Sequence, residues 1–195
     1  MNTLKTLVCS EFQLKGSKFL GFLIPYELFE EKLKELKISH HKATHFVYAY
    51  RILNQGQVHE RFSDDGEPKG SSGMPILNVL RGENLINIGL IVVRYFGGIL
   101  LGVGGLVRAY TKSVLLCVDL AKKTQVFIPF EFCKTINLEC VYSLSGRLEY
   151  LAKKFKIEIK KKVFLQKSVE IELCGEIQSI EAFLIVYDQD LKFRS

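Results

Sequence analysis

Two glycine-rich segments hold most of the residues whose types and spacing suit chemistry. The first reads Ser63-Asp64-Asp65-Gly66-Glu67-Pro68-Lys69-Gly70-Ser71-Ser72-Gly73-Met74-Pro75: acidic, then cationic, then hydroxyl-bearing. The second runs from Arg94-Tyr95-Phe96-Gly97-Gly98 through Gly102-Val103-Gly104-Gly105 to Arg108-Ala109-Tyr110. Glycine costs backbone entropy on folding, so such clusters mark tight turns or close approach of another group. The second segment joins an apolar strand-like run to a helical pattern and carries an arginine at each end. Unpaired N–H groups and the positive end of the helix dipole lie at such a start, and guanidinium groups add forked donors. Arg94, Gly97, Gly98, Gly102, Gly104, Gly105 and Arg108 are therefore a candidate anion site, of the kind that takes phosphate. The competing reading is a tightly packed loop whose arginines pair with Asp64, Asp65 or Glu67.

Other chemistries are weaker. Gly102-Val103-Gly104-Gly105-Leu106-Val107 lacks the last glycine of a dinucleotide fingerprint. Lys69 precedes Gly70, the wrong order for a P-loop. Asp64, Asp65 and Glu67 are candidates for Mg²⁺, but three acids within four residues are more often a turn with paired or solvated charges. Ser71 and Ser72 have no recognisable base, so no catalytic residue is assigned. No metal and no cofactor is expected. His45 opens a strand pattern, and His59 and Arg61 flank the next one; with Lys69 they would extend an anion-binding surface if they lie beside the second loop.

The elements around these loops follow from periodicity. Phe12 to Leu23 reads as a strand interrupted near Gly16, and Tyr26 to Leu36 as a helix. His45 to Leu53 and Gln57 to Phe62 suit a hairpin around Asn54-Gln55-Gly56. Met74 to Leu80 suits a short helix. Leu85 to Tyr95 is an apolar strand with both faces covered, and Gly104 to Lys122 is a helix. A boundary falls near Lys122 to Phe127, giving domains 1–125 and 126–195. The second part suits a βαββαβ unit. Its strands are Lys134 to Val141, Ile157 to Phe164 and Ser168 to Cys174, with an edge strand at Leu191 to Phe193. Its helices are Ser143 to Phe155, N-capped by Ser143, and Ile177 to Val186. Lys153 to Lys167 holds seven lysines. Lys160 and Lys162 opposite Glu170 and Glu172 would explain much of that run by cross-strand pairing, against a nucleic-acid patch.

At 195 residues the chain can bury a core without disulfides or metal. Its net charge of +6 favours an anionic partner. Residues 1–125 carry 16 basic against 11 acidic residues, so the excess lies there. No apolar run reaches membrane-span length, and the N-terminus shows no secretory signal. The five cysteines have no C-x-x-C pair and read as small core residues of a reducing, cytoplasmic setting.

Both glycine motifs, with Ser17-Lys18-Phe19, His45 and Ala49-Tyr50-Arg51, closely resemble the IMPACT/YigZ family. The resemblance is strong over residues 1 to about 125. It implies an α+β fold of two domains. One is an N-terminal α/β sandwich like the second domain of a small-subunit ribosomal protein. The other is a C-terminal ferredoxin-like βαββαβ domain similar to the last domain of elongation factor G. It implies RNA or ribosome association, translational control under stress through protein partners, and no established enzymatic activity. It also implies a ligand surface on the two glycine motifs. Relatives with Thr-Ala-Gly-Arg where this chain has Ser71-Ser72-Gly73-Met74 carry a cation that is absent here. Three functions stay open: an RNA- or ribosome-associated regulator, a protein-binding regulatory module, and an enzyme acting on a phosphorylated small molecule.

Overall fold

The computed structural model describes residues 1–54, 56–130 and 133–190. The chain divides into two compact units, Met1–Phe130 and Glu131–Ser195. The fold is mixed α and β in both.

In the first unit the order is β1 (Asn2–Leu4), β2 (Val8–Leu14), β3 (Ser17–Pro25), a 3₁₀ turn (Tyr26–Leu28), α1 (Phe29–Ser39), β4 (His45–Asn54), β5 (Gln57–Ser63), α2 (Gly73–Gly82), β6 (Ile88–Tyr95), α3 (Gly102–Lys123) and β7 (Phe127–Pro129). Five strands form one sheet in the order β2-β3-β6-β4-β5, antiparallel throughout. The interruption near Gly16 is a hairpin turn. Lys15 and Gly16 both take positive φ, at 47° and 77°, so β2 and β3 are separate strands. β6 is the central strand and is buried along seven of its eight residues. That explains its unbroken apolar run, here within an antiparallel sheet.

Alternation divides β6 between two cores. Leu90 and Val92 face α2 and α3, with Phe19, Val47, Ala49, Leu106, Tyr110 and Val114. Ile91 and Val93 face α1, with Phe29 and Leu36. Gly89 makes room for α1: a Cβ there would stand 2.2 Å from the Phe29 ring. β7 pairs with β1, Leu4 against Phe127. The run after Lys123 therefore stays with the first unit, because its ladder partner is the chain's own N-terminus.

The second unit contains β8 (Cys133–Val141), α4 (Tyr142–Lys154), β9 (Glu158–Phe164), β10 (Ser168–Glu176) and α5 (Ile177–Asp190). Its strand order is β8-β10-β9, both pairs antiparallel. Leu148, Leu151, Val169, Ile171, Leu173, Ile180 and Phe183 fill the core between helices and sheet. The expected edge strand at Leu191 to Phe193 and the turn residue Gln55 lie outside the described residues. α4 starts at Tyr142, one residue before the expected Ser143 cap, and no side chain caps it.

The lysine run pairs differently from expectation. A register shift between Glu172 and Leu173 leaves Lys160 as the extra residue. Lys161 then opposes Glu172, and Val163 opposes Glu170. Lys160 binds Glu158 at 2.7 Å and Lys162 binds Glu149 of α4 at 2.7 Å. Local ion pairs still account for these two charges. None of the five cysteines forms a disulfide; Cys117 and Cys140 are buried, whereas Cys9 and Cys133 are exposed rather than core residues. None of the described helices is long and apolar enough to cross a membrane.

Candidate functional site

Every carboxylate of the first loop works inside the fold. Asp64 accepts hydrogen bonds from the amides of Gly70 (2.8 Å), Ser72 (3.2 Å) and Gly73 (2.8 Å), and from Ser72 Oγ (2.8 Å). It thereby caps α2 from eight residues upstream, because Ser72 makes no side-chain cap of its own. Burial opposes ionisation of Asp64, but the bonds from Gly70, Gly73 and Ser72 outweigh it and hold its pKa below the ordinary value. Asp65, at φ 43°, accepts from the Phe46 amide at 2.5 Å, and its carbonyl meets His45 Nδ1 at 2.7 Å. Glu67 turns inward.

Glu67 is the hub beneath both loops. Its Oε1 accepts from Arg94 Nη1 at 2.5 Å and from the Tyr110 hydroxyl at 2.7 Å. Its Oε2 lies 3.8 Å from His45 Nε2. Burial, then the Glu67 charge, keeps the Tyr110 hydroxyl protonated far above its usual range. The Arg94 guanidinium lies between two rings, 5.5 Å from Phe19 and 5.6 Å from Phe96. Its Nη2 is 3.4 Å from Ser17 Oγ, which also accepts from the Gly97 amide at 3.2 Å. Arg94 Nε has no hydrogen-bond partner.

This geometry corrects the expectation for three residues. Arg94 is 4% exposed and faces a carboxylate, so it is not an outward anion ligand. The end of β6 aims it at the α3 side of the sheet, where a buried cation must be paired. His45 is likewise turned inward, its Nδ1 to the Asp65 carbonyl and its Nε2 toward Glu67. The Gly97 amide is already taken. A Cβ on Gly97 would stand 1.9 Å from the Gly16 carbonyl carbon, so this glycine is there to let two backbones touch. Asp64, Asp65 and Glu67 all accept hydrogen bonds within the fold, and of the three only Glu67 meets an arginine among the described residues. Lys69 is exposed on the first loop, and no hydrogen bond or ion pair among the described residues joins it to the second.

The rest of the second loop does face solvent. Gly98 and Gly102 take positive φ, 83° and 70°, with open space around them. Gly102 and Gly104 are exposed and Gly105 is half-buried at the start of α3, which no side chain caps. Arg108 folds back one turn, its Nη1 3.7 Å from where a Cβ on Gly104 would stand. It is exposed and in no ion pair among the described residues. A guanidinium beside the positive end of a helix is unfavourable unless negative charge arrives from outside. Around these groups four large apolar side chains stand in solvent: Phe96 at 44%, Ile99 at 53%, Leu100 at 83% and Val103 at 58% exposure.

Sequence reasoning passed over those four, and also Ser17. The signal for the apolar group was visible. Ile99 and Leu100 lie between glycines, in a segment with neither strand alternation nor helical spacing, so no element could carry them into a core. His59 and Arg61 are exposed on β5, the sheet's edge. Concave sites also lie elsewhere among the described residues. One, of about 490 Å³, is lined by Leu4, Tyr26, Asn87 and Ile128 among others. A groove of about 260 Å³ crosses the second unit's sheet at Asn137, Lys161, Glu170 and Glu172.

The model of the Impact N-terminal domain matches residues 15–118, which contain both loops and the Glu67 hub. An IMPACT family member from Haemophilus influenzae is 34% identical over 183 residues, covering 92% of this chain and 86% of that protein. The chain belongs to the IMPACT family. The IMPACT family member YvyE of Bacillus subtilis is 31% identical over 157 residues, 79% of this chain and 68% of that one. A crystal structure of a hypothetical protein matches with a TM-score of 0.68 at 26% identity, over 97% of this chain and 92% of the other. The likeness to that structure therefore extends over both units.

Proposed function

We propose that this IMPACT family chain is a non-enzymatic, cytoplasmic regulator of translation that works by docking a protein partner on its second glycine loop. The observation that carries this reading is the exposure of Phe96, Ile99, Leu100 and Val103 within one loop and the first turn of α3. Contiguous exposed apolar groups mark interaction sites, and interface centres are apolar with arginine enriched. The loop is also preorganised, which lowers the ordering cost of binding. Gly97 is wedged against Gly16, and Phe96 lies over Arg94. The family resemblance supplies the link to translation.

An RNA or ribosome phosphate is the second reading, favoured by the uncapped start of α3 and by Arg108. It ranks below the first because Arg94, the other expected cation, is sealed inside. The two separate cleanly. Tagged full-length chain is recovered from its host with and without ribonuclease, beside Leu100→Asp and Ile38→Asp variants; Ile38 is 78% exposed on α1. A partner that survives nuclease, is lost with Leu100→Asp and stays with Ile38→Asp supports docking. Filter-retained RNA whose affinity falls steeply with salt, and which Leu100→Asp leaves unchanged, establishes the second reading instead.

A further inference from the structure

We infer that the partner presents a carboxylate set among apolar side chains, on a short protein segment that lies across the second glycine loop; this rests on the docking reading above. Ile99, Leu100 and Val103 are aliphatic and the most exposed of the four apolar groups. Aliphatic side chains offer no π-face for stacked bases, which single-stranded nucleic acid uses, but they do suit leucine- or phenylalanine-sized groups from a protein. The charge at the same place is positive and unanswered. Arg108 extends back over Gly104 with no acid on it. Lys112 follows one turn later on α3, its Nζ 5.0 Å from the Phe12 ring centroid. Lys15 projects from the turn whose Gly16 touches Gly97. Glu11 on β2 is already held by Lys18 at 3.0 Å. No acid among the described residues pairs with Arg108, so the carboxylate that meets it is assigned to the partner. Its hydrogen bond to a guanidinium would fix orientation, while the apolar contacts supply area.

The Arg108 guanidinium lies back over Gly104, 3.7 Å from where a Cβ there would stand, which keeps the cation at the start of α3 where Val103 is also exposed. Apolar contacts from the partner to Leu100 and Val103 would shield that bond from water in part, and a charge-assisted bond is stronger there.

The test uses ¹⁵N-labelled full-length chain and three probes. One is a capped hexapeptide, Ser-Leu-Phe-Asp-Leu-Ser. The second is the same peptide with asparagine in place of aspartate. The third is an octauridylate RNA. The inference predicts amide shifts confined to Gly98 through Arg108 with the aspartate peptide, and roughly tenfold weaker binding of the asparagine peptide, as expected for losing a charge-assisted bond. Arg108→Gln should abolish the difference between the two peptides but leave residual binding. Leu100→Ser should weaken both alike. Equal binding of the two peptides, no binding of either, or shifts at the same amides with RNA alone would each overturn it. If neither peptide binds but a nuclease-resistant partner still depends on Leu100, this inference fails and docking stands.

Discussion

The two glycine loops share composition and part company in structure. Residues 63–75 carry three acids, and each acid is consumed by the fold: Asp64 on α2, Asp65 on the start of β4, Glu67 on Arg94 and Tyr110. Residues 96–105 carry no acid and leave Phe96, Ile99, Leu100 and Val103 in water. The first loop builds the underside of the second. A loop rich in charge can thus be structural, and its plainer neighbour the exposed working face, when the charges find partners within the chain.

The comparison breaks most readily at Glu67. Removing one member of a buried pair leaves an uncompensated charge, at a cost of roughly 3–5 kcal/mol. Glu67→Ala should lower Tm accordingly, and the double variant Glu67→Leu/Arg94→Met should lose less than Glu67→Ala alone. A loss under about 1 kcal/mol for Glu67→Ala would show that the hub does not hold the loops. Gly97→Ala ranks next, at roughly 1–3 kcal/mol, since backbone must move to admit a Cβ. Gly104→Ala should be neutral or stabilising by up to about 1 kcal/mol, because that helical position is open apart from Arg108. Equal losses in these two variants would erase the distinction between a packed and an open half of the second loop.

Asp64→Ala should cost about 1–2 kcal/mol at neutral pH through the lost cap. The folded pKa of Asp64 is lowered, so its contribution is present above the unfolded value near 4 and is lost as pH falls through the folded one. Wild type and Asp64→Ala should therefore converge in chemical-denaturation stability below about pH 4; parallel curves down to pH 2 would remove the cap from the account. Smallest of all, Leu100→Ser and Arg108→Gln should change stability by less than about 0.5 kcal/mol. A larger loss would mean that the outer face is structural too.

Much of the frame was legible in the sequence. Periodicity located the helices, the β4–β5 hairpin and the apolar central strand, because two covered faces impose an unbroken apolar run. The β2–β3 turn was not separated, since Lys15-Gly16 differs by only one glycine from a strand interruption. β7 was assigned to the second part because its partner, β1, lies at the other end of the chain, and no local pattern reports a pairing of such separation. At the site, both loops were recognised and both readings of Arg94 were open. Which one held depended on the direction of one side chain at the end of β6, and that is decided by the sheet face it shares with Glu67 and Tyr110. The apolar group of the second loop was overlooked, although Ile99 and Leu100 lie between glycines with no element to bury them.

The docking claim is tested most directly by a photoreactive residue placed at position 100 and, separately, at position 69, in the full-length chain inside its host. The account predicts a crosslink to one protein from position 100, unchanged by ribonuclease, lost when Arg108→Glu is added, and absent from position 69. Nuclease-sensitive adducts from position 100, or equal capture from both positions, would contradict it.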